Sequence, residues 1–269
     1  MPYKQITCFL LLACNTFIAN AKVSFVTTDL QTEQISATLY IPKQSGKMSA
    51  VIVLGGSSGH RNTVYPELLA AHGIVAMSLA YFRSQGLPNT LDEIPIETVS
   101  DALDYLQNHP QVNTNNLGIL GVSRGSELAF LSATNDPRIT AVAGIVPSSV
   151  AWHGQISPHA WTIKGKPLPS VTFPRQSEES IYERSTAALT QNSASYAQFQ
   201  FEKINGSLLL ISAKNDHIWP SSLMANKIMT YLKQHNFTHS TYHLSVNDNH
   251  FIDQKTRDGY AQLLVDHFR

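Results

Sequence analysis

Residues 121–125 form the pentapeptide Gly-Val-Ser-Arg-Gly. Its central residue, Ser123, carries a hydroxyl group that can act as a nucleophile. An apolar run precedes it at residues 117–120, and a helical pattern follows it at residues 126–131. In a G-x-S-x-G turn between strand and helix, the serine hydroxyl is exposed above the sheet edge. The flanking glycines are needed because a Cβ would collide there with backbone. The pattern therefore predicts a nucleophile elbow with Ser123 as the attacking group.

A serine hydroxyl is a weak nucleophile until a base removes its proton and a third group orients that base. Two predicted buried strands downstream, at residues 207–212 and 240–246, end just before Asp216 and His250 respectively. Catalytic groups gather at the carboxyl ends of parallel strands. We therefore expect His250 to be the base and Asp216 to orient it. Asp248 is the alternative acid, although a loop aspartate so close to the histidine more often makes a local turn hydrogen bond.

Stabilising a developing oxyanion requires two hydrogen-bond donors near the nucleophile. One is expected to be the backbone N–H of Arg124, the residue after the nucleophile. The second is expected from the glycine-rich segment 55–59, which follows a clear apolar strand at residues 50–54. Glycines let the backbone approach a substrate closely and turn an N–H inward. Ser57 is the preferred second donor, and Gly56 is the alternative.

Strand and helix patterns alternate along the chain, ending in a short predicted helix at residues 259–268. This alternation is typical of an α/β fold with a mostly parallel central sheet and helices on both faces. Residues 148–205, after the sixth predicted strand, interrupt it with a segment rich in Ser, Pro, Gln and aromatic residues. We interpret this segment as a cap that excludes water and shapes the substrate pocket. The candidates to line that pocket are aromatic: Trp152, Trp161, Phe173, Tyr182, Tyr196 and, beyond the cap, Trp219.

The composition narrows the class of partner. The chain has 269 residues, 43% of them hydrophobic and 14% charged, with a formal net charge of zero. This length suits one α/β domain over residues 22–269. A neutral chain without a basic run argues against nucleic acid, so a small-molecule substrate is expected. No His/Cys spacing typical of a metal site is present in the sequence, and we expect neither a metal nor an organic cofactor.

The first 21 residues have the features of a signal peptide. Lys4 supplies a positive charge, residues 6–13 an apolar run, and residues 19–21 an Ala-Asn-Ala cleavage site. We expect an exported protein whose mature chain begins at Lys22. Lipidation of Cys14 is the alternative, because the residues before it resemble a lipoprotein signal. No later segment is apolar and long enough to span a bilayer.

Several stretches together resemble the carboxyl-terminal catalytic domain of the acyl-CoA thioesterase and bile acid-CoA:amino acid N-acyltransferase family. The resemblance extends from about residue 50 to residue 252. It is carried by Ala80-Tyr81-Phe82 with Gly86-Leu87-Pro88, Leu91-Asp92-Glu93-Ile94-Pro95, and residues 120–128, 161–169 and 216–221. It implies an α/β-hydrolase fold in which Ser123, Asp216 and His250 are the nucleophile, acid and base.

The resemblance also bears on the reaction. Family members that conjugate acyl groups to amino acids have cysteine at the nucleophile position, whereas this chain has Ser123. That difference favours water over an amine as the acyl acceptor. We therefore expect a serine hydrolase that cleaves an acyl thioester or a carboxylic ester. The alternatives are an acyltransferase and a non-catalytic binding protein on a hydrolase scaffold.

Overall fold

The computed structural model describes residues 22–173 and 177–269, so the predicted signal peptide and Cys14 lie outside the described residues. Eleven strands occur within that part of the chain. In chain order they are β1 (Phe25–Gln31), β2 (Ser36–Pro42), β3 (Met48–Leu54), β4 (Val75–Ala80), β5 (Ile94–Pro95), β6 (Val112–Val122), β7 (Ile139–Ile145), β8 (Trp161–Ile163), β9 (Lys166–Pro167), β10 (Ser207–Ala213) and β11 (Thr241–Val246).

Eight of these strands form the central sheet, in the order β1-β2-β4-β3-β6-β7-β10-β11. β2 pairs antiparallel with β1 and β4, and every other pair is parallel. Because parallel strands point the same way, the carboxyl ends of β3, β6, β10 and β11 lie at one edge of the sheet. The mostly parallel sheet expected from the sequence is confirmed.

Helices pack on both faces of this sheet: α1 (Val64–Ala71), α2 (Glu97–Gln107), α3 (Arg124–Asn135), α6 (Ser221–Gln234) and α7 (Gln254–His267). The other two helices, α4 (Ile181–Ala188) and α5 (Asn192–Tyr196), lie in the segment between β7 and β10. Apolar side chains of α2, α3 and α6 join the core on one face, and those of α1 and α7 join the core on the other. On α2 the buried residues follow the three- and four-residue spacing of a single helix face: Val99, Ala102, Leu103 and Leu106.

The last helix is longer than the sequence pattern predicted. α7 begins at Gln254, five residues before the predicted start, and Gly259 lies inside it. The physical reason is a side-chain cap, since the Asp253 carboxylate accepts a hydrogen bond of 2.7 Å from the N–H of Thr256.

The cap, residues 148–205, lies between β7 and β10 and contains β8, β9, α4, α5 and a 3₁₀ turn at Phe201–Lys203. β8 pairs with β9 and also with β5, so residues before α2 contribute a strand to this region. Isolated bridges join Val150 to Gln198 and Trp152 to Val171. Within the described residues, no helix is long and apolar enough to cross a membrane.

Candidate active site

Ser123 lies at the turn between β6 and α3, in the strained backbone expected of a nucleophile elbow. Its φ of 54° and ψ of −122° are unusual for a residue with a side chain. The turn closes so tightly that a Cβ on Gly121 would overlap the carbonyl oxygen of Gly125. One on Gly125 would overlap that of Gly55. The Ser123 N–H donates to the carbonyl of Ile145 on β7 at 2.9 Å, which fixes the turn to the sheet.

The structure brings the side chains of Ser123, His250 and Asp216 into one hydrogen-bonded line. The Ser123 Oγ lies 3.0 Å from His250 Nε2, and His250 Nδ1 lies 2.9 Å from Asp216 Oδ2. A carboxylate only accepts, so Nδ1 carries the imidazole proton and Nε2 presents its lone pair to the serine hydroxyl. All three residues are buried, between 6% and 8% exposed. This arrangement allows proton transfer from the hydroxyl to the imidazole.

Asp216 and His250 meet because their strands are neighbours. β10 and β11 are parallel and in register to their ends, where Ala213 is opposite Val246. Beyond the strands, the N–H of Lys214 donates to Val246 and the N–H of Asn215 donates to Asp248, each at 2.9 Å. Asp216 Oδ1 also accepts from the N–H groups of residues 218 and 219 at 3.0 and 3.2 Å. These bonds hold the carboxylate facing the imidazole.

Asp248, the alternative acid, is engaged elsewhere. Its Oδ1 accepts from the N–H of Asn249 at 2.7 Å and its Oδ2 from the N–H of Asp253 at 2.9 Å. These are the local turn bonds expected of an aspartate in such a loop. His250 Nδ1 donates its hydrogen bond to the Asp216 carboxylate instead.

The predicted oxyanion donors lie on two segments next to Ser123. A Cβ on Gly56 would lie 3.3 Å from the Cβ of Ser123, so the glycine-rich backbone passes beside this side chain. Arg124 is the first residue of α3, and the first N–H groups of a helix have no acceptor within it. The loop is held from behind by the phenol of Tyr81, which donates to the Gly55 carbonyl at 2.7 Å. Burial raises the pKa of Tyr81, so the phenol remains a donor at neutral pH.

A cavity of about 270 Å³ opens beside Ser123, between the sheet edge and the cap. Most of its walls are apolar, and two of the three predicted tryptophans line it. The lining residues are Ser57, Ser123, Arg124, Trp152, His153, Phe173, Ile181, Arg184, Ser185, Ile218 and Trp219. Trp152 and Phe173 touch edge to face, with ring centroids 5.5 Å apart. The cavity therefore places an apolar surface within reach of the serine hydroxyl.

The structure places Trp161 away from this cavity. Trp161 is not among the described residues that line the cavity, because it is 1% exposed and packs into the main core, with its ring 5.8 Å from that of Tyr81. Its indole N–H donates to the buried carboxylate of Glu127 at 2.8 Å. Tyr182 and Tyr196 likewise are not among the described lining residues, and Tyr196 is 77% exposed.

Glu127 is the residue that sequence reasoning missed. It is fully buried on α3 and forms an ion pair with Arg124, one turn earlier. It accepts the N–H of Trp152 at 3.0 Å as well as the indole of Trp161, and Arg124 donates to the carbonyls of Trp152 and His153 at 3.1 and 3.0 Å. Burial raises the pKa of Glu127, and the Arg124 guanidinium opposes that rise.

We call Arg124 and Glu127 the elbow ion pair. It joins the helix that follows the nucleophile to two separate parts of the cap. The available sequence signal was the three-residue spacing of opposite charges at the start of a predicted helix. That spacing suggests an exposed pair, and only the packing of the cap buries it.

Among residues 22–173 and 177–269, no group of three or more His, Cys, Asp or Glu side chains is arranged to hold a metal ion. The described site offers hydrogen-bonding and proton-transferring groups instead.

A family model described as BAAT / Acyl-CoA thioester hydrolase C terminal matches residues 94–254. The match includes the segments that hold Ser123, Asp216 and His250, and also the whole of the cap segment 148–205.

Curated relatives include enzymes of two kinds. The acyl-coenzyme A thioesterase 1 of Rattus norvegicus is 30% identical over 206 residues, covering 75% of this chain and 48% of that protein. The acyl-coenzyme A amino acid N-acyltransferase 1 of Mus musculus is 26% identical over 210 residues, covering 77% of this chain and 49% of that protein. The chain thus spans about half the length of these relatives.

Solved structures share the fold. The acetyl xylan esterase 1 of a Thermoanaerobacterium species superposes with a TM-score of 0.55 at 16% identity, over 93% of this chain and 89% of the esterase. At this level of identity the likeness concerns the fold alone, and it agrees with the α/β-hydrolase architecture described above.

Proposed function

The chain belongs to the BAAT / acyl-CoA thioester hydrolase C-terminal family, and on that premise we propose that it is a serine hydrolase of an acyl thioester or carboxylic ester. The observation that carries the proposal is the line from Ser123 Oγ through His250 to Asp216, with contacts of 3.0 and 2.9 Å. Homologous thioesterases support hydrolysis of an acyl bond. The serine mechanism rests on the geometry.

In the first half of the reaction, the Ser123 oxygen attacks the acyl carbonyl carbon while His250 Nε2 takes the hydroxyl proton. The carbonyl π electrons move to the oxygen, and the oxyanion accepts hydrogen bonds from the N–H of Arg124 and that of Ser57 or Gly56. One such donor is worth roughly 3 kcal/mol of transition-state stabilisation. When the intermediate collapses, the bond to the leaving group breaks and His250 gives its proton to the departing thiol or alcohol.

In the second half, water replaces the leaving group. His250 removes a proton from the water as its oxygen attacks the acyl carbon, and the bond to Ser123 Oγ breaks as the serine recovers the proton. The product is a carboxylic acid. Throughout, Asp216 keeps the imidazole in the required tautomer and stabilises the transient imidazolium.

Acyl transfer is the second candidate, and the observation that favours it is the N-acyltransferase among the relatives. It shares the acyl-enzyme and differs only in the acceptor. Added amines or alcohols would then intercept the acyl-enzyme faster than water does.

The test is active-site labelling together with hydrolysis. We expect a fluorophosphonate to add one covalent group at Ser123, located by peptide mass spectrometry, and acyl-CoA thioesters or matched aryl esters to be hydrolysed. Ser123→Ala should abolish the label and lower kcat by about 10⁴-fold or more. Ser58→Ala is the matched control, because Ser58 lies in the neighbouring loop and is not among the described cavity residues.

The outcomes separate the candidates. Hydrolysis that depends on Ser123 supports the proposal, and the ratio of thioester to ester turnover identifies the leaving group. A protein that is folded, unlabelled and inactive on every substrate would instead be a binding protein on this scaffold. Product formation only with an added amine or alcohol would identify an acyltransferase.

A further inference from the structure

We propose, on the basis of the proposed function, that the cavity beside Ser123 is an acyl pocket with a fixed size limit. It takes acyl groups of up to about eight carbons and excludes the rest of longer chains. The cap helix α4 and Phe173 set the limit. The inference concerns the class of acyl group, whichever leaving group the enzyme uses.

The chemistry of the walls identifies the part of the substrate that enters. Trp152, Phe173, Ile181, Ile218 and Trp219 give the cavity large apolar surfaces beside the nucleophile. A hydrocarbon chain gains from leaving water for such a surface, whereas a polar or charged leaving group loses its hydration there. The acyl chain is therefore the part that the cavity accepts.

The volume limits the length of that chain. A cavity of about 270 Å³ lies at the small end of the range for small-molecule sites, roughly 300–1,000 Å³. At roughly 30 Å³ per non-hydrogen atom, the share of a water in the liquid, it holds about nine such atoms. Eight carbons and the carbonyl oxygen account for that number.

Helix α4 forms the cap wall of the cavity with one face. Ile181, Arg184 and Ser185 all line it. The second and third lie three and four residues after the first, which places all three on a single helix face. The helix begins in a reciprocal capping box, in which the Ser180 hydroxyl accepts from the Glu183 N–H and the Glu183 carboxylate accepts from the Ser180 N–H.

Phe173 continues this wall and is itself braced. The Arg184 guanidinium lies 5.3 Å from the centre of its ring, and the rings of Trp152 and His153 touch it at 5.5 and 4.8 Å. The elbow ion pair holds Trp152 and His153 to α3. Because Phe173, Trp152 and His153 are each held by another residue, the fold fixes this part of the wall.

The experiment measures kcat/KM for a homologous series with one leaving group, from acetyl to hexadecanoyl, below the concentration at which the substrates aggregate. We expect a rise of about fourfold per added methylene up to about octanoyl, since each methylene leaves water. Beyond octanoyl the rise should stop or reverse. A rise that continues to hexadecanoyl, or the same value from acetyl to octanoyl, would overturn the size limit.

Variants of the wall should move the limit in opposite directions. Phe173→Ala should raise the ratio of decanoyl to octanoyl turnover about sixteenfold, because two further methylenes of about fourfold each become buried. Ser185→Leu replaces a hydroxyl by three carbon atoms at a buried wall position, a net gain of two non-hydrogen atoms, and should move the limit down to about hexanoyl. Tyr196→Ala, which removes an exposed aromatic of the cap, should leave the limit where it is.

Phosphonate labelling of the same samples separates the two proposals. Full labelling with a limit that Phe173→Ala and Ser185→Leu do not move would overturn the pocket assignment and leave the serine hydrolase intact. Loss of labelling and of all hydrolysis in the wild-type protein would overturn both. Folding of each variant is verified by circular dichroism, and Phe173→Ala alone suffices if Ser185→Leu does not fold.

Discussion

The sheet side of the site, which carries Ser123, Asp216 and His250, can be compared with the cap side, which carries Trp152 and Phe173. On the sheet side each residue follows a strand end, and the parallel register of β10 and β11 brings two of them together. On the cap side the strands are two or three residues long and the bridges are isolated. There, hydrogen bonds to the elbow ion pair fix the wall instead.

This difference indicates where amino-acid substitutions leave the geometry of the site unchanged and where they alter it. A residue at a strand end is held by a ladder of backbone hydrogen bonds that most side chains leave unchanged. The cap wall depends on a few buried side chains, so one substitution can move it. Under the proposed function, the reaction and the choice of acyl group are therefore controlled by separate parts of the molecule. Three measurements can break or sharpen that contrast.

The largest effect is expected on the sheet side. Asp216→Asn should lower kcat by about 10⁴-fold, because an amide stabilises neither the required imidazole tautomer nor the imidazolium. Asp248→Asn should keep kcat within a few fold of the wild type, since the Asp248 carboxylate bonds to backbone N–H groups of Asn249 and Asp253 and to the side chain of Thr256, not to His250. Steady-state kinetics measure both. An equal loss in Asp248→Asn would contradict the assignment of the acid.

An intermediate effect is expected where the two sides meet. Glu127→Ala should lower the free energy of unfolding by about 3–5 kcal/mol, because it leaves the Arg124 guanidinium buried without its carboxylate. Urea unfolding measures this loss. The double variant Arg124→Met with Glu127→Leu should recover only part of it, because the unpaired charge is gone but the N–H groups of Trp152 and Trp161 still lack their acceptor.

The matched control is Glu97→Ala. Glu97 also binds the cap region, by accepting the N–H of Lys164 at 2.7 Å, but this contact is exposed to solvent. It should cost about 1 kcal/mol. If Glu127→Ala cost no more than Glu97→Ala, the elbow ion pair would not be what holds the cap.

The smallest expected effect is a pH dependence of stability that originates on the sheet side. Burial lowers the pKa of His267 on α7 to about 4, and its Nε2 donates to the Val142 carbonyl of β7 at 2.9 Å. Between about pH 6.5 and pH 4 the unfolded chain binds a proton at this histidine and the native state does not. Stability is therefore lost as the pH falls through that window, by at most about 3 kcal/mol.

Urea unfolding across this pH range measures the loss of stability. Burial also lowers the pKa of His243, which therefore destabilises the protein in the same direction. The variant His267→Gln separates the contribution of His267 from that of His243. The variant should show a shallower decline than the wild type. Parallel curves for the two proteins would show that His267 titrates normally.

The sequence alone was enough for the fold class and for the neighbourhood of the site. Alternating strands and helices require a parallel sheet with two covered faces, and parallel strands put their carboxyl ends at one edge. Gly121 follows from sterics within five residues, whereas Gly125 avoids the backbone of the distant Gly55. For this reason the expected neighbours Ser123, Asp216 and His250 lie together, while their catalytic roles and the oxyanion donors stay predictions.

Only the tertiary structure decided what surrounds these residues. Trp161 and Trp152 are similar in sequence context, yet one lies in the core and the other lines the cavity. Glu127, which bonds to both, lies 25 and 34 residues from them in the chain. Local sequence patterns predict strand ends and turns, because sterics and hydrogen bonding act over a few residues. Which side chain fills a gap depends on the packing of distant segments, which no local pattern contains.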